Sequence, residues 1–149
     1  MRSSMERDNL YLIDSGVWIG AFNPRDAHHL ESKRVIKAVA NGRAGRPLIT
    51  ALIFGEVVTY IRRKIGVKQS IEVARVLLDS KNVDVIHIDE HTFSAAYHMF
   101  ERYPALSFAD AVSVAVMKDR GVRQIISFDR DFDGVRDIVR SETLPSPNI

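Results

Sequence analysis

Four apolar runs, Leu10–Ile13, Leu48–Ile49, Val83–Ile88 and Val122–Ser127, alternate with longer stretches whose apolar residues recur at helical spacing. Runs this short and this apolar suit strands covered on both faces, and an intervening helix returns the chain so that successive strands lie parallel. The expected fold class is therefore α/β: three layers, with a central, mostly parallel sheet flanked by helices. Helices are expected from Ser15 to about Phe22 and from His28 to about Ala40, separated by the breaker Asn23-Pro24-Arg25-Asp26. Thr50 is placed to cap a helix that runs to Ile65 and stops at Gly66. Further helices are expected over Gln69–Leu78, from the cap Asp89 to about Arg102, and from Phe108 to Arg120 before Gly121. There is no internal repeat and no linker, so the 149 residues read as one domain, with 1–8 and 141–149 as loose ends and one edge strand before the tail.

The chain has no cysteine, which removes disulfide frameworks, thiolate zinc sites and cysteine nucleophiles. Its first nine residues have no apolar signal core, and no run approaches the ~20 apolar residues of a membrane span. A cytoplasmic location away from membranes is expected. Charge is uneven along the chain. Residues 1–75 hold 13 Lys and Arg against 7 Asp and Glu, while residues 76–149 hold 8 against 12. A basic half beside an acidic half suits a polyanion path leading to carboxylates, although a solvated surface gives the same count.

The acids are more telling by position. Asp14 directly follows the first strand and Asp129 follows Ile125-Ile126-Ser127-Phe128, and strand ends are where parallel sheets build sites. Each could equally be a turn or cap aspartate. Asp110 lies in Leu106-Ser107-Phe108-Ala109-Asp110-Ala111-Val112, at the start of a helix apolar nearly all round. Ser107 and Asp110 are spaced as a capping box, which leaves the carboxylate able to serve a second purpose. Glu56 falls opposite the stripe Phe54, Val57, Val58, Ile61 and Ile65, beside Leu52, Thr59 and Arg63, so helical periodicity alone makes it a surface residue. Several carboxylates meeting above one sheet repel each other unless cations lie between them, and hard Mg2+ or Mn2+ answers that need. Such an ion activates water and steadies the leaving oxygen of a phosphodiester. The histidines form no zinc pattern, and phosphate-binding glycine loops are missing.

In this order, Leu12-Ile13-Asp14-Ser15, Glu56, Leu106–Asp110-Ala111 and Ser127-Phe128-Asp129-Arg130-Asp131-Phe132 resemble a PIN domain, closest to the VapC-type toxin ribonucleases. The similarity spans about Leu10 to Phe132. It implies Mg2+- or Mn2+-dependent endoribonuclease activity, with Asp14, Glu56, Asp110 and Asp129 as the metal-binding acids and Ser15 and Ser127 as supporting hydroxyls. It also implies the toxin role in a type II toxin–antitoxin pair, a cognate antitoxin partner and a homodimer, and the apolar surface of the helices around Phe54–Ile65 or Gln69–Leu78 makes these the expected interface. Asp131 rivals Asp129 for the fourth acid, although it is also placed to cap a short helical turn near Phe132. Gly16 would let backbones approach closely. Arg62, Arg63, Lys64 and Lys68 are candidates for RNA phosphates, or a solvated helix end whose cations suit its dipole.

Other readings are an RNA-processing PIN nuclease, a catalytically silent RNA- or protein-binding module, and an aspartyl-phosphate phosphotransfer protein with Asp14 as nucleophile. The last needs either an acidic pair before the acceptor strand or a second aspartate two residues after the first, where this chain has Gly16.

Overall fold

The computed structural model describes residues 10–144; the expected loose end 1–8 and residues 145–149 of the other lie outside the described residues. Strands β1 (Tyr11–Ile13), β2 (Leu48–Thr50), β3 (Asp84–Ile86), β4 (Gln124–Ile126) and β5 (Val139–Ser141) form one sheet in the order β3-β2-β1-β4-β5. Every neighbouring pair is parallel, including the edge strand β5. The helices are α1 (Ser15–Phe22), α2 (His29–Ala40), α3 (Ala51–Lys64), α4 (Val67–Asp79), α5 (Glu90–Arg102) and α6 (Phe108–Arg120). A 3-10 turn covers Arg130–Gly134.

The expected elements are all present, with shifted ends. β3 stops at Ile86 rather than Ile88 because its ladder partner, Thr50, is the last residue of β2, and the chain enters α3 at Ala51. α4 begins at Val67, two residues before the expected start, directly after Gly66. α2 begins at His29, leaving His28 in the preceding turn. Ser141 closes β5, so the strand reaches the first residue of the tail expected to be loose.

The central strands carry the core: Leu12, Ile13, Ile49 and Ile125 are fully buried. α6, whose sequence is apolar nearly all round, is buried without a break from Ala111 to Met117. Trp18 of α1 packs in the same core, its indole N–H donating to the Ile13 carbonyl at 3.3 Å.

The close approach anticipated at Gly16 occurs one turn later. A Cβ at Gly16 would meet nothing within 4 Å, because this face of α1 is open. At Gly20 it would lie 2.4 Å from Ser32 Oγ and 3.0 Å from Ser32 Cβ, where α1 rests on α2. Ser32 is fully buried and its hydroxyl has no partner, so there is little room for it to move aside. Gly20→Ala should therefore cost about 1–3 kcal/mol through overpacking. The expected result is a lower urea midpoint at unchanged m-value; an unchanged midpoint would show that α1 and α2 can slide apart.

Candidate active site

The strand order places the site before any side chain is considered. From β1 the chain goes to β2 on one side and returns later to β4 on the other, so β1 and β4 flank a topological switch point. In parallel sheets the crevice outside the carboxyl ends of two such strands is left uncovered by crossover connections. Residues following Ile13 and Ile126 open into it. α1 and α3, which follow β1 and β2 directly, begin at this edge, as does α6, which leads to β4, and each helix start carries a partial positive charge suited to anions.

Asp14 stands at the centre of this edge. It is 9% exposed and acts as N-cap of α1, with one carboxylate oxygen accepting from the Ser15 backbone N–H at 2.9 Å. Its other oxygen accepts from the buried Ser127 hydroxyl at 2.7 Å. The same Ser127 oxygen accepts from the Asp129 backbone N–H at 3.0 Å, so one hydroxyl ties the ends of β1 and β4 together. Burial pushes the Asp14 carboxyl up to about 6; its two hydrogen bonds oppose this, and the charges of Asp110 and Glu56 add to it. Ser15 contributes its backbone N–H here.

Asp110 reaches the same place from α6. The capping box is present, with Ser107 Oγ accepting from the Asp110 N–H and an Asp110 oxygen accepting from the Ser107 N–H, each at 3.1 Å. The bonds leave the half-buried carboxylate lone pairs to spare. Burial raises its pKa, as do the charges of Asp129 and Glu56. Glu56 is exposed, opposite the buried Ile53, Val57 and Ile61, as helical periodicity requires. That side of α3 is nevertheless close enough to Asp14 and Asp110 for its charge to act on both.

The fourth acid and its rival exchange one expected role. Asp129, and not Asp131, caps the short turn: an Asp129 oxygen accepts from the Asp131 N–H at 2.9 Å. The turn begins at Arg130 rather than near Phe132, which makes the residue before it the cap. Asp131 is exposed, and Asp129 is the one whose charge acts on Asp110. Residue-level reading also missed Arg140 on β5, which donates to the Ser127 carbonyl at 3.0 Å and pairs with Asp133 at 2.8 Å and Glu142 at 3.1 Å. It braces the Ser127–Asp129 segment from the sheet edge. Nothing in the sequence marks it, since a lone cation near the tail has no distinguishing spacing.

Among the described residues no three acidic or imidazole groups already cage a single point. The acids are electrostatic neighbours whose donors are all carboxylate oxygens. That set fits a hard divalent cation that retains several waters and takes only a few protein ligands, and it does not fit a closed zinc site.

A groove of about 560 Å³ leads away from Glu56 along α3, lined by Leu52, Gly55, Thr59, Tyr60, Arg63 and Lys64. Of the four candidate phosphate-binding cations, Arg63 and Lys64 line it. Arg62 instead donates to Ser70 Oγ at 3.1 Å, bracing α3 against α4, and Lys68 is exposed on α4 outside the groove lining.

Residues 11–138 match the PIN domain family, and the chain belongs to it. Within the family it is similar to a VapC ribonuclease of Archaeoglobus fulgidus, 26% identical over 125 residues, covering 81% of this chain and 78% of the relative. It is also similar to the 23S rRNA-specific endonuclease VapC20 of Mycobacterium tuberculosis, 28% identical over 128 residues, covering 83% of this chain and 92% of that protein. The crystal structure of VapC20, described as a sarcin-ricin-loop-cleaving toxin, superposes with a TM-score of 0.73 at 26% identity, covering 87% of this chain and 98% of that one. A chain in a toxin–antitoxin complex from Klebsiella pneumoniae shares the fold, with a TM-score of 0.66 at 19% identity, covering 87% of this chain and 95% of that one.

Proposed function

We propose that this protein is a Mg2+- or Mn2+-dependent endoribonuclease and the toxin of a type II toxin–antitoxin pair. The observation that carries the reading is the buried Asp14 carboxyl, tied through Ser127 to the Asp129 segment and sharing a sheet edge with Asp110 and Glu56. Burial opposes the charge of this aspartate, and a bound cation would compensate it. The names of the relatives, ribonucleases and toxins, support the same activity.

Asp14, Glu56, Asp110 and Asp129 would hold the ion, which when bound supplies water activation and charge neutralisation at a phosphodiester. The protein's own part is to orient. Ser127 and the Ser15 N–H fix both oxygens of Asp14, and the capping box fixes Asp110. Arg63 and Lys64 in the groove beside Glu56 hold flanking phosphates as positioning charges. Purified protein should cleave unpaired RNA with Mg2+ or Mn2+ and stop when EDTA is added. Undiminished cleavage in chelator would remove the metal from the mechanism.

The antitoxin partner and the homodimer belong to the same proposal. Val67, Ile71 and Leu78 lie exposed on α4 while Phe54 of α3 is half-buried, which favours α4 as the dimer contact. Light scattering should report a dimer, and Ile71→Glu should shift it towards monomer; a monomer at high micromolar concentration would overturn this. Cytoplasmic action is part of the reading, in keeping with an RNA substrate. Among the described residues no helix is long and apolar enough to cross a membrane.

A further inference from the structure

Phe128 lies between the two residues that build the end of β4, Ser127 with its bond to Asp14 and Asp129 with its charge on Asp110. The ring of His28, from the turn before α2, is stacked on it with centroids 4.0 Å apart and planes 9° from parallel. Phe128 is half-buried and packs against the edge of the core, whereas His28, stacked outside it, is exposed. Its mounting is nevertheless firm. The His28 backbone N–H donates to an Asp26 oxygen at 2.9 Å, and the neighbouring His29 ring is hydrogen-bonded to the Gly20 carbonyl at 2.8 Å. On the other side, Arg140 holds the Ser127 carbonyl. Two flat rings are thus held parallel on the segment that carries Ser127 and Asp129, with the outer one in solvent.

Flat aromatic faces held beside a phosphate site suit unpaired nucleobases, because every base has a π-face that stacks without sequence preference. We infer that His28 and Phe128 form a stacking column for the base of a nucleotide adjoining the scissile phosphate, making His28 a positioning residue for unpaired RNA. The column would splay that base away from its neighbours and leave the phosphate against the acids. Binding to the groove cations sets where the backbone runs, and the column sets which phosphate stops at the site.

The inference rests on the ribonuclease reading, and the experiment separates the two. Steady-state cleavage of a short unpaired RNA oligomer with Mn2+ is compared for wild type, His28→Ala and His28→Phe, and on oligomers lacking one base on either side of the cut. Loss of a stacking face should raise KM about tenfold in His28→Ala while kcat stays within about twofold. His28→Phe keeps the flat ring and should behave like wild type. One of the two abasic oligomers should show the same rise with wild type and no further rise with His28→Ala. If wild type cuts and His28→Ala is unaffected, or if His28→Phe is as impaired as His28→Ala, the stacking column is overturned and the ribonuclease stands. If wild type cuts nothing, both fall.

Discussion

Asp14→Asn should lower RNA cleavage on the order of 10³-fold and at the same time make the metal-free protein more stable at neutral pH. Both effects follow from one buried carboxyl. Asn keeps the size of the side chain and one oxygen for the Ser15 N–H or the Ser127 hydroxyl, but it lacks the charge that a cation requires. For stability the sign runs the other way. Burial raises the Asp14 pKa from 3.8 to about 6, so the folded state binds its proton more tightly than the unfolded chain does. That contribution to stability is fully present below about pH 4 and is lost as pH rises through about 6. By pH 7.5 the loss amounts to about 3 kcal/mol, roughly 6–12 °C in melting temperature for a chain of this size. The variant, having no charge to bury, escapes the loss. In EDTA at pH 7.5 it should melt above wild type, and the gap should close near pH 4. Saturating Mn2+ should narrow it from the other side by stabilising wild type alone. A variant that melts lower in EDTA would show that the lost hydrogen bond outweighs the relieved charge, and one that retains a tenth of the activity would remove Asp14 from the metal site.

The second large effect separates Asp129 from Asp131. Asp129 has two roles, since its carboxylate caps the Arg130–Gly134 turn and its charge acts on Asp110. Asn caps a helical turn about as well as Asp, so Asp129→Asn removes only the charge. It should cut cleavage about 100-fold while leaving the melting temperature within a degree or so. Asp129→Ala removes the cap as well and should lose about 1 kcal/mol in addition. Asp131 is exposed, and the neighbouring Asp129 charge raises its pKa. Asp131→Asn should leave both cleavage and melting temperature close to wild type. A strong loss of cleavage in Asp131→Asn with retention in Asp129→Asn would reverse the assignment.

The contrast between Glu56 and Asp110 shows how far residue patterns reach. Asp110 was legible locally, because Ser107 three residues before it and the apolar helix after it define both the cap and the burial. Glu56 was not. Helical periodicity correctly puts it on the exposed side of α3, and a helix wheel says nothing about what stands across from that side. Only the order of acids in the PIN family singles it out, and only the packed structure gives it neighbours. Gly16 and Gly20 differ in the same way: both sit in one short helix, but the residue that a Cβ would crowd, Ser32, lies on another.

The sequence by itself determined the layers, the parallel sheet and the starts of the helices that a side chain caps, because strand length, helical period and capping residues act over a few bonds or a few turns. It also determined that Asp14 and Asp129 would follow strands. The tertiary structure decided the strand order β3-β2-β1-β4-β5, which makes the ends of β1 and β4 neighbours. From that order came the Ser127 bridge across 113 residues, the bracing by Arg140 and the stacking of His28 on Phe128. These contacts join residues far apart in the chain, and their energy depends on distances that only the closed sheet sets.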